Sequence, residues 1–233
     1  MTRLLTVILS ALIFCSCKVR TGSGNIISET RNVSQFDGVK SSGSIDVEIV
    51  DNGSRSVRVE GDDNILPYVI TKVENGMLNI YMKSNQSYRD IKVKAYVSAP
   101  VLTELSVSGA GNITSKDTIR HDEQIKFKAS GSGDINAFVD APSIIANVSG
   151  AGNVNLRGRT RDFTCSVSGG GDLDCKNLLS ENTIVKVSGG GNAYVHASVT
   201  LDARASGGGD IVYSGKPTSP KIKKSGGGSV SAE

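Results

Sequence analysis

The ten residues from Ser106, SVSGAGNITS, hold two glycines separated by one small residue, and the chain repeats that pattern almost to its end. It returns as ASGSGDINA, VSGAGNVNL, VSGGGDLDC, VSGGGNAYV, ASGGGDIVY and KSGGGSVSA. The first glycines are Gly109, Gly131, Gly150, Gly169, Gly189, Gly207 and Gly226, spaced by 22, 19, 19, 20, 18 and 19 residues. A unit this short cannot enclose a core of its own. A regular period therefore means that neighbouring units bury each other's apolar faces.

The flanks say how. Two positions before the first glycine stand Val107, Ala129, Val148, Val167, Val187 and Ala205, and four before it Leu105, Phe127, Ala146, Cys165, Val185 and Ala203. The residues between them, Ser106, Lys128, Asn147, Ser166, Lys186 and Arg204, are polar, which is the period-two signature of a strand with one buried face. Beyond the bend, Ile113, Ile135, Val154, Leu173, Ala193, Ile211 and Val230 mark a second strand. Glycine at such a bend supplies a positive φ or a close backbone approach. The middle residue, always Ala, Ser or Gly, reads as a place with no room for anything larger.

The pattern predicts an all-β fold: a right-handed, parallel β-helix-like solenoid with ~19-residue coils, rising ~4.8 Å per coil. A sandwich of hairpins would not need the same bend chemistry at every repeat. The residue after the second glycine offers a check, running Asn112, Asp134, Asn153, Asp172, Asn192, Asp210, Ser229. Carboxylates never occupy adjacent copies. Stacked in register ~5 Å apart, they would repel by about 1 kcal/mol in water, and interleaved asparagine relieves that.

The segment before residue 106 is strand-rich but irregular, as in SIDVEIV, SVRVEG, MLNIYM and IKVKAYV, with one shortened bend at Ser42-Gly43-Ser44-Ile45. It reads as wide first coils (33–105) that cap the repeats (106–233) within a single solenoid domain, 33–233. Lys221, Lys223, Lys224, Pro217 and Pro220 blunt the last edge, and Lys224 replaces the valine expected in the buried file.

The chain opens MTRLLTVILSALIFCSC, a basic start followed by an apolar run too short to span a membrane. Residues 1–16 read as a lipoprotein signal peptide, Cys17 as the lipidated residue, and 17–32 as a linker. Lys18 follows Cys17 with no acidic cluster behind it, which favours the periplasmic face of the outer membrane over the cell surface. Two cysteines remain, Cys165 and Cys175, both in inward phase in one coil. They are either a disulfide or two unlinked core thiols. Lys and Arg (26) nearly balance Asp and Glu (23), which gives no electrostatic case for nucleic acid.

The stretches FDGVKSSGSIDVEIVDNG and VEGDDNILPYVITKVENGMLNIYM, followed by the serial Ser-Gly-x-Gly-Asn/Asp copies, resemble the Bacteroidetes family described as putative auto-transporter adhesin, head GIN domain. The resemblance runs from about Val33 onward. It implies a β-helical exported protein, usually lipid-anchored, and carries no catalytic residues with it.

Chemistry is sparse. GGGDLD at 169–174 is similar to calcium-binding nonapeptides, but its aspartate directly follows the last glycine and half the copies carry asparagine, too few oxygens for a hard cation. Asp134, Asp172 and Asp174 with Arg157, Arg159 and Arg161 form the polar exterior that a polysaccharide-cleaving enzyme would have to use. His121 and His196 sit in different copies, and Tyr194 and Tyr213 make no aromatic row. No nucleophile elbow, phosphate loop or zinc spacing occurs. The expectation is a non-enzymatic scaffold or adhesin-like surface without cofactor or metal. It would contact the membrane through its lipid and a glycan or envelope protein through its repeats. The alternative is a carbohydrate-active enzyme or dedicated glycan-binding module.

Overall fold

A computed structural model describes residues 19–51 and 53–233. Cys17 and the signal segment lie outside the described residues. The fold is an all-β solenoid of stacked parallel coils, with one turn of 3-10 helix at Leu66–Tyr68.

The inward files are continuous. Ser41, Val107, Ala129, Val148, Val167, Val187, Ala205 and Lys224 pair in register from coil to coil. Across the bend the column is Val47, Ile113, Ile135, Val154, Leu173, Ala193, Ile211 and Val230. Apart from the ends, these side chains are almost wholly buried. Small apolar residues suffice because each closes only one layer of a narrow interior. In the last coil Lys224 and Ile222 occupy inward positions and are exposed.

The glycine bend works by close approach. A Cβ on Gly109, Gly131, Gly150, Gly169, Gly189 or Gly207 would lie 2.0–2.2 Å from the carbonyl oxygen of the preceding coil's first glycine. At the second glycines the corresponding distance is 1.9–2.1 Å. That carbonyl accepts two N–H groups from the coil above, as Gly150 O does from Gly170 and Gly171 at 3.0 and 3.1 Å. The small middle residue is a different matter. A Cβ on Gly170, Gly190, Gly208 or Gly227 would meet nothing within 4 Å, and the position is exposed. The expectation that nothing large fits there is wrong, and packing does not explain its smallness.

The N-terminal part differs from irregular wide coils. Gly38–Ser41, the bend at Gly43 and Asp46–Ile49 form a regular coil, and Gly109 stacks directly on Gly43. The chain then leaves, builds a cap beneath that coil, and returns above it at Glu104–Val107. In the cap, Met77–Met82 and Val93–Ser98 pair parallel to the Gly43 coil. Ser56–Asp62 and Val69–Glu74 instead run antiparallel to them. The hairpin 69–82 turns at Asn75-Gly76, both with positive φ (51° and 77°), as a two-residue turn of that hand requires. Residues read as a linker also carry strands. Ile26–Thr30 pairs antiparallel with Ser56–Asp62, and Val19–Thr21 pairs with Ser87–Arg89.

Candidate binding face

Three features of the coils could meet a ligand: the seam beside the bend, the corner where strands turn, and the outer sheet face before the bend.

The seam is an internal device. Asp46, Asn112, Asp134, Asn153, Asp172, Asn192, Asp210 and Ser229 form one column. From Asn112 onward, the main-chain N–H of each donates to the side-chain Oδ1 of its counterpart one coil earlier, at 2.7–3.0 Å. Each asparagine Nδ2 also donates to the aspartate beneath it, at 3.0–3.3 Å. The Ser229 hydroxyl and N–H hold the Asp210 carboxyl below its ordinary range. Asp134 and Asp172, candidates for outward chemistry, therefore each commit Oδ1 to the main-chain N–H and the side-chain amide of the asparagine in the next coil. Two coils separate them. The alternation of Asp and Asn is real stacking, and it begins at Asp46, one coil earlier than the sequence suggested.

The corner holds an open groove of about 490 Å³ lined by Asp140, Arg159, Arg161, Leu179, Glu181 and His196, among others. Arg159 forks onto Asp140 at 2.8 and 3.0 Å and holds its carboxyl below the usual carboxylate range. Arg161 and Asn182 do the same for Asp162. A general acid needs its pKa raised toward the working pH, and these carboxylates move the other way. His196 Nδ1 meets Ser214 Oγ at 3.1 Å, while its carbonyl accepts from the buried hydroxyls of Ser180 and Thr183. His121 Nδ1 accepts the N–H groups of Glu123 and Gln124, capping a turn. Tyr194 and Tyr213 do not share a face. Tyr194 falls in the outward file with Asp174 and Val212, and Tyr213 falls inward with Cys175 and Val195.

Cys165 and Cys175 are unlinked thiols, both buried. Loss of hydration raises both pKa values well above that of a free thiol, and the neighbouring Cys175 adds to the effect on Cys165. In a chain beginning at Lys18, iodoacetamide is expected to leave the folded protein unlabelled and to add two groups once it is unfolded without reductant. Intact mass reads the difference.

The sheet face is the remaining surface. One residue before each first glycine stands a serine: Ser42, Ser108, Ser130, Ser149, Ser168, Ser188, Ser206 and Ser225. Its N–H joins the coil-to-coil ladder, as in Ser188 N–H to Val167 O at 2.8 Å, and its hydroxyl stays at the surface. The file two residues further back is mixed: Ser106, Lys128, Asn147, Ser166, Lys186, Arg204 and Lys223 stack in register. Lys128 is held by Glu104 at 2.9 Å. Toward the last coils the face widens into an open groove of about 970 Å³, lined by Ser168, Ser188, Ser206, Lys186, Arg204 and Lys223, among others. No signal for this groove was read in the sequence, where the lysines counted only as an edge guard.

No curated protein matches the chain. Among solved structures, a putative adhesin from Bacteroides fragilis superposes with a TM-score of 0.88 at 21% identity, over 92% of this chain and 100% of that one. A protein from Parabacteroides distasonis described as a putative lipid binding protein gives 0.75 at 22% identity, over 93% and 100%. A putative adhesin from Parabacteroides merdae gives 0.72 at 19%, over 93% and 100%. At these identities they establish the shared fold. The family model described as putative auto-transporter adhesin, head GIN domain, matches residues 35–217. The chain belongs to that family.

Proposed function

We propose that this protein is a non-enzymatic adhesive surface of the cell envelope, held to the outer membrane through a lipid on Cys17 and facing the periplasm. The observation that supports the adhesive reading is the serine file, which repeats one hydroxyl in every coil along a flat sheet. Each contact is weak, but a polymer with repeating units can engage many at once, and the linked contacts multiply. The adhesin names carried by related structures agree with this reading. A carbohydrate-active enzyme would need a convergent acid pair, and the corner groove offers Asp140, tied to Arg159, and Glu181.

A glycan array with the purified protein, run with and without calcium, tests the reading. Binding to a set of extended glycans, unchanged by calcium and with no cleavage products, is expected. Cleavage of any bound glycan would overturn it, as would an array without signal.

A further inference from the structure

Along the seam, charges are spaced so that no two carboxylates are neighbours. The outer face breaks the same rule at its C-terminal end. Lys186, Arg204 and Lys223 are direct register partners in three consecutive coils, ~4.8 Å apart along the axis. Lys221, two residues before Lys223 on the same strand face, is the register partner of Asp202. The one acidic group among them is Asp202, which binds Arg204 through both oxygens at 2.8 and 2.9 Å. Lys186, Lys221, Lys223 and Lys224 make no ion pair among the described residues. Like charges held this close repel, and a surface that needed only solubility would have interleaved them with acids or amides, as the seam does.

The floor beside these cations is also suited to a ligand. The hydroxyls of Ser168, Ser188 and Ser206 reach the carbonyls of the preceding coil only at 3.4–3.5 Å, the long end of the hydrogen-bond range. They can turn outward with little loss. Hydroxyls and cations thus run side by side, one of each per coil, and of the cations Lys186 and Lys223 make no ion pair while Arg204 is held by Asp202.

We propose that this groove binds an anionic polysaccharide, carboxylated or sulfated, lying along the solenoid axis with about one sugar residue per coil. An extended pyranose chain advances by roughly the same distance per residue as the stack of coils, ~4.8 Å. Lys186 and Lys223 meet its anionic groups, and the serine file meets its hydroxyls. The inference deepens the adhesive reading and rests on it, and it names the class of glycan and the coils that take it.

The test is calorimetric titration of the intact mature protein with oligogalacturonate and with a heparin-derived oligosaccharide. Neutral cello-oligosaccharide of equal length, inorganic sulfate, and vesicles containing phosphatidylglycerol serve as comparisons. Binding of an anionic oligosaccharide that weakens with salt is expected, with the neutral chain and sulfate alone much weaker. The double variant K186Q/K223Q is expected to lose about tenfold in affinity. It should melt no lower than the parent, because it removes repulsion from exposed positions. Equal affinity of variant and parent would overturn the proposal, as would binding to the vesicles alone. Equal binding of neutral and charged chains would overturn it while leaving the adhesive reading intact. Failure of every oligosaccharide would overturn the proposal, while the adhesive reading would stand or fall on the glycan array.

Discussion

Replacing Gly171 by alanine is expected to cost the solenoid at least about 3 kcal/mol, while the same change at its neighbour Gly170 costs nothing. The added methyl at 171 would sit 2.0 Å from the carbonyl oxygen of Gly152 and crowd the main chain of Ala151 as well. No rotamer relieves this, because both partners are backbone. The coils must part, and parting them breaks the hydrogen bonds that Gly170 and Gly171 donate to Gly150. At 170 the methyl enters open solvent. There it removes freedom from the unfolded chain, an effect that is slightly stabilising. For a chain of this size the first variant should melt about 6–12 °C lower and the second unchanged or slightly higher. Equal melting temperatures would mean that the coils are not this close.

The second large effect is electrostatic. Asn153→Asp puts carboxylates in three consecutive coils, flanked by Asp134 and Asp172, and removes the 3.0 Å bond from Asn153 Nδ2 to Asp134. Two repulsions at ~4.8 Å, partly screened by water, should cost about 2–4 kcal/mol in all at neutral pH. Repulsion raises the folded pKa of the new group above its unfolded value near 3.9. Its penalty is therefore present at neutral pH and fades as the pH falls through that raised pKa. Asn153→Ala serves as the control. It leaves the N–H of Asp172 without its acceptor, now bonded at 2.9 Å, and that deficit should persist in acid. Thermal melts of both variants at pH 7 and pH 3.5 decide the matter. Parallel behaviour of the two would mean that charge is not what the alternation manages.

Much of the fold could be read from residues because the repeat leaves few choices. The files through Val148, Val167 and Val187 follow from period two, and the Asp/Asn alternation implied in-register stacking before any distance was known. The cap was harder. Asn75-Gly76 is a strong hairpin signal that the strand-by-strand reading passes over, and with it the antiparallel pairing of 69–74 with 77–82. Nothing local shows that the Gly43 coil and the Gly109 coil, 66 residues apart, are neighbours, since their contact depends on where the chain between them folds. The middle bend residue misled for the opposite reason: smallness in sequence looked like crowding, and the structure shows open space. The basic groove was invisible because Lys186, Arg204 and Lys223 lie in separate repeats and become adjacent only through register.

The seam of alternating acid and amide also constrains how such a protein can change its length. Excising the single coil from Gly150 to Ser168 would set Asp172 directly on Asp134, whereas excising two successive coils would restore the Asp–Asn order. Tandem gain or loss of repeats should therefore be tolerated in pairs, so the heritable module is a doublet of about 38 residues (two ~19-residue coils) even though the visible motif recurs at half that interval.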